Sequence, residues 1–229
     1  MNEGQHKLGQ RTGTWKSYYS SGKLNVTETY ENGLISGRKF NYFENGKLDS
    51  EAEMFKGERH GWVKKYDETG NLAYQLRFEY DLPVAYSYLD KTGKLVPEIA
   101  LPGGSGTVKA YYLNGNVSAV FTYKDGKSFG EDILYHFNGK QAIVSADNCS
   151  ITEGPLKSYY ANGQLKHDYN FLHGNLHGFY KEYSEKGVLQ EEGYFYNGAA
   201  HDVTKLYDEN GKLKETQYYY YGRLIDIKK

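Results

Sequence analysis

Stretches in which aromatic and β-branched residues alternate with polar ones are interrupted, again and again, by Ser-Gly, Asn-Gly or Thr-Gly pairs. Period-two alternation between such turns predicts short antiparallel strands joined by hairpins. One turn signature returns nine times, with glycines at Gly22, Gly46, Gly70, Gly93, Gly115, Gly139, Gly163, Gly187 and Gly211, spaced 22 to 24 residues apart. So strict a period predicts an array of one small unit rather than a globule with a unique core. The expected fold is all-β: an elongated, curved array of about nine stacked antiparallel hairpins in an open single-layer sheet. One repeat domain spans 1–229, with units near 13–36, 37–60, 61–83, 84–105, 106–129, 130–153, 154–177, 178–201 and 202–225.

Alignment on the glycine shows fixed positions. Four residues before it stand Tyr18, Tyr42, Tyr66, Tyr111, Tyr135, Tyr159, Tyr183 and Tyr207, with Leu89 the exception. Two residues after it stand Leu24, Leu48, Leu72, Leu95, Val117, Leu165, Leu189 and Leu213, with Gln141 the exception. A three-residue loop with glycine in the left-handed region sets these positions directly opposite each other, as a Tyr–Leu rung. Eight residues past the glycine lies another large apolar position (Tyr30, Met54, Phe78, Leu101, Tyr123, Phe171, Phe195, Tyr219), broken by Asp147. Strand side chains alternate, so the even offset predicts that it shares the leucine's face. Three residues before the glycine the sequence is mixed, from Tyr19 and Phe43 to Asp67, His136 and Asp208, and lysines recur at Lys23, Lys47, Lys94, Lys140 and Lys212. A solvated, variable face is expected there.

A single layer cannot hide aromatics on both faces, which makes the eight-tyrosine stripe the candidate partner-binding surface. The same rings would equally serve as the array's own core. Two units depart from the pattern. Leu82–Ser105 carries Pro83, Pro97 and Pro102, and 130–153 places Gln141 and Asp147 at core positions; ladder pairing weakens at such places, so a bend is expected.

Composition narrows the function. The 28 basic and 29 acidic residues leave a net charge of −1, so no global field attracts nucleic acid or an anionic membrane, and neither partner is expected. Cys149 is the sole cysteine, read as a small packing residue, and no internal disulfide is possible. Residues 1–10 lack the apolar stretch of a secretory signal and no 18-residue apolar run occurs, which leaves the compartment open between cytoplasm and, with an export segment removed, the cell envelope.

Candidate chemistry is sparse. His167, His173 and His177 are the densest set of metal-ligating side chains, but His60, His177 and His201 share one repeat slot, which points to turn structure. Asp125-Gly126-Lys127-Ser128 lacks the upstream glycine of a phosphate loop. Glu191 and Glu192 are adjacent and face opposite sides of a strand. No catalytic residue, metal or cofactor is expected, and the chain is read as not an enzyme.

The unit Gly13-x-Trp15-Lys16-x-Tyr18-Tyr19-x-x-Gly22-Lys23-Leu24, closed by Tyr30-x-Asn32-Gly33-x-x-x-Gly37, resembles the bacterial MORN-repeat variant, a group that includes the YwqK-family antitoxins. The likeness runs from about Gly4 to Ile225. It implies stacked hairpins used for protein association, or for lipid contact in some eukaryotic members, and carries no catalytic residue. The expected function is a non-enzymatic protein-binding scaffold, in its most specific form an antitoxin or immunity protein. The alternative is a cell-envelope module for a glycan or lipid head group. Exposed sheet edges add a route to homo-oligomers.

Overall fold

The computed structural model describes residues 2–229 and is antiparallel strand throughout, apart from one 3₁₀ turn at Pro102–Gly104. The chain divides into two compact units, one reaching Ala119 and including Tyr123–Gly126, the other comprising Val120–Thr122 and Lys127–Lys229. In the first, nine strands form one open sheet in strict chain order, from Asn2–Lys7 and Gln10–Tyr18 to Leu82–Ser87 and Ile99–Ala100. In the second, antiparallel strands follow in chain order from Gly130–Tyr135 to Arg223–Lys228.

Two turn types alternate along the chain. All nine signature glycines have left-handed φ, between 78° and 92°. Each closes a three-residue loop: Tyr19 N–H donates to Lys23 O at 2.8 Å and Gly22 N–H to Tyr19 O at 2.9 Å, and the same pair of bonds recurs at every later glycine. The second type has two residues of positive φ, as at Asn32–Gly33 (50° and 80°), Lys56–Gly57, Cys149–Ser150 and Asn197–Gly198. Paired positive φ makes these type I′ hairpins, whose twist matches that of the strands they join. Their second residue donates its N–H to the preceding repeat. Gly33 reaches Arg11 O at 3.0 Å, Gly57 reaches Ile35 O at 2.7 Å and Gly222 reaches Ala200 O at 2.8 Å.

The Tyr–Leu rung forms as expected: Tyr18 opposes Leu24, Tyr42 Leu48, Tyr66 Leu72, Tyr159 Leu165, Tyr183 Leu189 and Tyr207 Leu213. The large apolar position six residues further on does not share its face. Ser17 pairs with Val26 while Tyr18 pairs with Leu24, so Asn25 is one residue too many, and the slip recurs beside each of these rungs. An extra residue reverses which side chains point where. Tyr30 therefore lies with Trp15, ring centroids 6.1 Å apart, and donates to Glu28 at 2.8 Å, while Tyr18 reaches Glu3 at 2.9 Å on the other side. Each sheet carries an aromatic stripe on both faces.

The proline-bearing unit gives the first compact unit a second layer. Leu89 and Leu95 keep the rung only as an isolated bridge, the next strand is the two-residue Ile99–Ala100, and the 3₁₀ turn follows. The chain re-enters as Gly106–Tyr111, where Val108 and Ala110 are buried, as are Tyr112, Ser118 and Ala119. Ser118 Oγ donates to Ala73 O at 2.5 Å. Along Leu72–Glu79 the alternating pairs Gln75 and Leu76 are both buried, so this strand is covered on both faces.

Tyr180 lies across the ladder from Gly193, and a Cβ there would stand 2.8 Å from both Tyr180 Cε1 and Thr204 Oγ1. We expect Gly193→Ala to cost about 1–3 kcal/mol in urea unfolding through overpacking. In a Tyr180→Ala background the same change should cost less, because only the Thr204 contact remains and alanine outperforms glycine in a strand by about 0.5–1 kcal/mol. Equal costs in the two backgrounds would contradict the contact.

Candidate functional site

All eight stripe tyrosines, Tyr18, Tyr42, Tyr66, Tyr111, Tyr135, Tyr159, Tyr183 and Tyr207, are half-buried. They occupy strand ends beside the three-residue loops, most of them opposite a leucine, with Tyr135 opposite Gln141. Three have their hydroxyls held by a carboxylate on the neighbouring strand: Tyr18 by Glu3, Tyr66 by Glu51 at 3.2 Å and Tyr207 by Glu192 at 2.7 Å. Glu51 also takes Lys64 at 2.7 Å and Glu192 takes Lys205 at 3.4 Å, so the anchoring acids are themselves fixed. Burial, then the Glu51 charge, pushes the Tyr66 phenol up to about 12; the bond to Glu192 does the same for Tyr207, also to about 12.

The mixed position three residues before each glycine has a structural role that residue types did not show. Tyr19 and Tyr160 donate their hydroxyls to the carbonyls of Tyr42 and Tyr183, at 2.5 and 2.8 Å, and His136 Nε2 meets Tyr159 O at 2.8 Å. Each strut therefore holds the backbone of the next repeat's stripe tyrosine. Where aspartate stands instead, it caps its own loop: Asp67 accepts from the Thr69 and Asn71 amides, Asp208 from those of Asn210 and Lys212. The loop lysines Lys47 and Lys140 are not free either, reaching Thr69 O and Asn162 O in the following repeat.

Six segments, 11–32, 36–56, 59–80, 105–125, 152–173 and 203–219, match the profile of the MORN repeat variant, more than half of the chain. The chain belongs to the MORN repeat variant family. The matched segments leave out most of the proline-bearing unit and 126–151, and also 174–202, a unit that keeps the full signature. No curated protein matches this MORN chain. Similar solved structures are those of TcdB2-TccC3-TEV (13% identity, 95% of this chain and 13% of that one, TM-score 0.19) and of TcdB2-TccC3 without its hypervariable C-terminal region (13%, 94% and 15%, TM-score 0.18). A third is TcdB2-TccC3-Cdc42 (12%, 96% and 18%, TM-score 0.16). The MORN chain spans less than a fifth of the length of each.

On the other face of the second unit the MORN array holds a polar cluster absent from the sequence reading. Glu182 and Glu191 are cross-strand partners, a repulsive pairing for two carboxylates. Each accepts a phenol: Tyr169 donates to Glu182, and Tyr180 to Glu191 at 2.5 Å. Burial, then these bonds, raises both phenols, which keeps them as donors. His167 stacks on Tyr169 at 5.1 Å and meets Ser158 Oγ at 2.9 Å; burial lowers its pKa. The signal was the register, which places the residue five before one glycine opposite the residue four after it.

The other candidate groups disperse. His167 sits in that cluster, His173 meets Glu153, and His177 meets Asn197. Among the described residues no set of three histidine, cysteine or acidic side chains is placed to hold a metal ion. Asp125–Gly126 is a type I′ turn. Cys149, expected to pack, is exposed at the first position of another.

Asp132 has no counterpart in the other repeats. One carboxylate oxygen accepts from Ser128 Oγ at 3.0 Å, the other is buried with no partner among the described residues, and Asp147 bears on the group electrostatically. Burial first, then Asp147, pushes its pKa up to about 6. Because the folded value lies above the unfolded one of about 4, its stabilising contribution is complete below pH 4 and lost as pH rises through 6. We expect Asp132→Asn to raise the urea midpoint at pH 7.5 and leave it nearly unchanged at pH 4. For Tyr207 the raised value means stability present below pH 10 and lost toward 12; Glu192→Gln should bring its titration back toward 10, read as added tyrosinate absorbance at pH 11.

Proposed function

We propose that this MORN array is a non-enzymatic scaffold that binds another protein through the tyrosine stripe, with toxin neutralisation, as an antitoxin or immunity protein, its most specific form. The supporting observation is the anchoring of half-exposed rings. At Tyr42, Tyr159 and Tyr183 the backbone is tied to the preceding repeat and, at Tyr18, Tyr66 and Tyr207, the hydroxyl is bound to a carboxylate. Rigid tyrosines offer large amphipathic contact area with little side-chain entropy left to lose, which is how paratopes bind proteins. The balanced charge gives an anionic lipid surface little hold.

Affinity capture from native extract tests this reading. The wild-type chain should retain a stoichiometric protein at low salt. Tyr159→Ser combined with Tyr183→Ser should release it, since anchor residues of an interface carry about 2 kcal/mol or more each. Capture of no protein, or equal capture by the variant, would contradict it.

A further inference from the structure

The second compact unit carries an exposed ring system separate from the tyrosine stripe. On four successive strand ends His177, Tyr196, His201 and Tyr220 stand ring beside ring, with centroids 5.2, 5.8 and 5.7 Å apart. Tyr221 packs on Tyr196, His201 and Tyr220 at 5.6, 4.8 and 4.7 Å. Tyr194 continues the run to Phe179, at 5.2 Å. Ring clusters of this density normally form a core, yet Phe179 is 81% exposed, Tyr220 62%, Tyr221 56% and Tyr196 39%. A contiguous apolar ridge in water marks an interaction site. It is also held in place, because the type I′ turns Asn197–Gly198 and Tyr221–Gly222 that carry it are each bonded to the preceding repeat, through Leu176 O and Ala200 O.

The dimensions of the ridge select an occupant. Tyr196 and Tyr220 are equivalent positions one repeat apart, as are His177 and His201, and one repeat is two strands, about 9.6 Å across the sheet. A polyproline II helix repeats every three residues at 3.1 Å each, about 9.3 Å. A proline at every third position therefore meets an equivalent phenol–imidazole notch in successive repeats. Charge agrees with the spacing. At the Phe179–Tyr194 end the hollow is also lined by Asp202, and by Lys181 and Lys205, which are both matched by Glu192, at 3.8 and 3.4 Å, so the lysines leave little uncompensated charge beside the rings. At the far end Arg223, the cross-strand partner of Tyr220, is exposed, and its guanidinium has no partner among the described residues. Such a surface takes a neutral stretch flanked by an acidic residue.

We propose that this ridge docks a proline-rich segment of a partner protein in the polyproline II conformation, its prolines three residues apart and an acidic residue lying over Arg223. The proposal rests on the scaffold reading and adds a contact surface separate from the tyrosine stripe. Recognition of this kind uses a preformed ligand helix on aromatic grooves.

The test is a titration of the full chain, by calorimetry and amide NMR, with a decaproline peptide, the same peptide extended by two aspartates at either end, a glycine–serine peptide of equal length and a linear glucan hexamer. Decaproline should bind, with shifts confined to the strand ends of His177, Tyr196, His201, Tyr220 and Tyr221, and one aspartate extension should bind more tightly. Tyr196→Ser with Tyr220→Ser should weaken binding at least tenfold, and Arg223→Ser should remove the aspartate preference. The wild-type shift map decides the matter should the double variant lose its fold. Silence at millimolar decaproline, equal binding of the glycine–serine peptide, or the glucan occupying the ridge instead would overturn the proposal. A silent ridge combined with loss of the captured protein from the Tyr159/Tyr183 variant overturns it while leaving the scaffold reading standing.

Discussion

The array depends on one hydrogen bond repeated at eight type I′ turns. Two successive residues of positive φ turn an N–H outward from the sheet margin, where it finds the carbonyl 22 residues earlier, from Gly33 to Arg11 through to Gly222 to Ala200. An amide left unpaired against packed neighbours would cost as much as a lost bond, so satisfying it couples each repeat to the one before. Nearest-neighbour coupling is what lets hairpins too small to stand alone form a stable array. The opposite margin is tied by side chains: Asn45, Asn138 and Asn162 donate to the carbonyls of Glu68, Ala161 and Glu185, each 23 residues on. Where these asparagines stand, stacking is therefore specified at both ends of the hairpin.

Held in this way, the repeats bring equivalent side chains into lines, and the bulge beside each three-residue loop decides which line faces which way. In each compact unit one face carries the stripe tyrosines; the other carries Trp15, Tyr30 and Phe78 in the first unit and Tyr169 and Tyr180 in the second. Tyrosine suits both, because a sheet this thin leaves a hydroxyl within reach of a strand carrying a carboxylate, as Tyr66 with Glu51 and Tyr180 with Glu191 show. Where the chain departs from the pattern, chemistry changes with it. The proline-bearing unit permits a buried layer around Tyr112, and the unit that carries Asp147 buries an Asp132 oxygen with no partner among the described residues.

The turns and rungs were legible in the residues because glycine position and loop length together dictate that Tyr18 meets Leu24. The face of Tyr30 was not, because the extra residue, Asn25, has no signature of its own and only the register discloses it. Tyr19, His136 and Asp208 occupy one slot but act as struts or as caps, so the slot looked featureless when read by type. The layer over Ala73 depends on Ser118, 45 residues away, which no local pattern encodes. The ring ridge is hidden for a related reason: Tyr196 ends a strand in a slot filled elsewhere by residues as different as Glu31, Phe55 and Lys124, Tyr221 lies in a turn, and their adjacency exists only once the strands are stacked.

Native-state hydrogen exchange measured residue by residue tests the stacking claim most directly. The account predicts that the amides of Gly33, Gly57, Asp81, Gly126, Ser150, Gly174, Gly198 and Gly222 are protected like those of the strands. The amide of Ser20, in a loop with no such bond, should exchange freely. Exchange of the eight turn amides at the rate of Ser20 would contradict it.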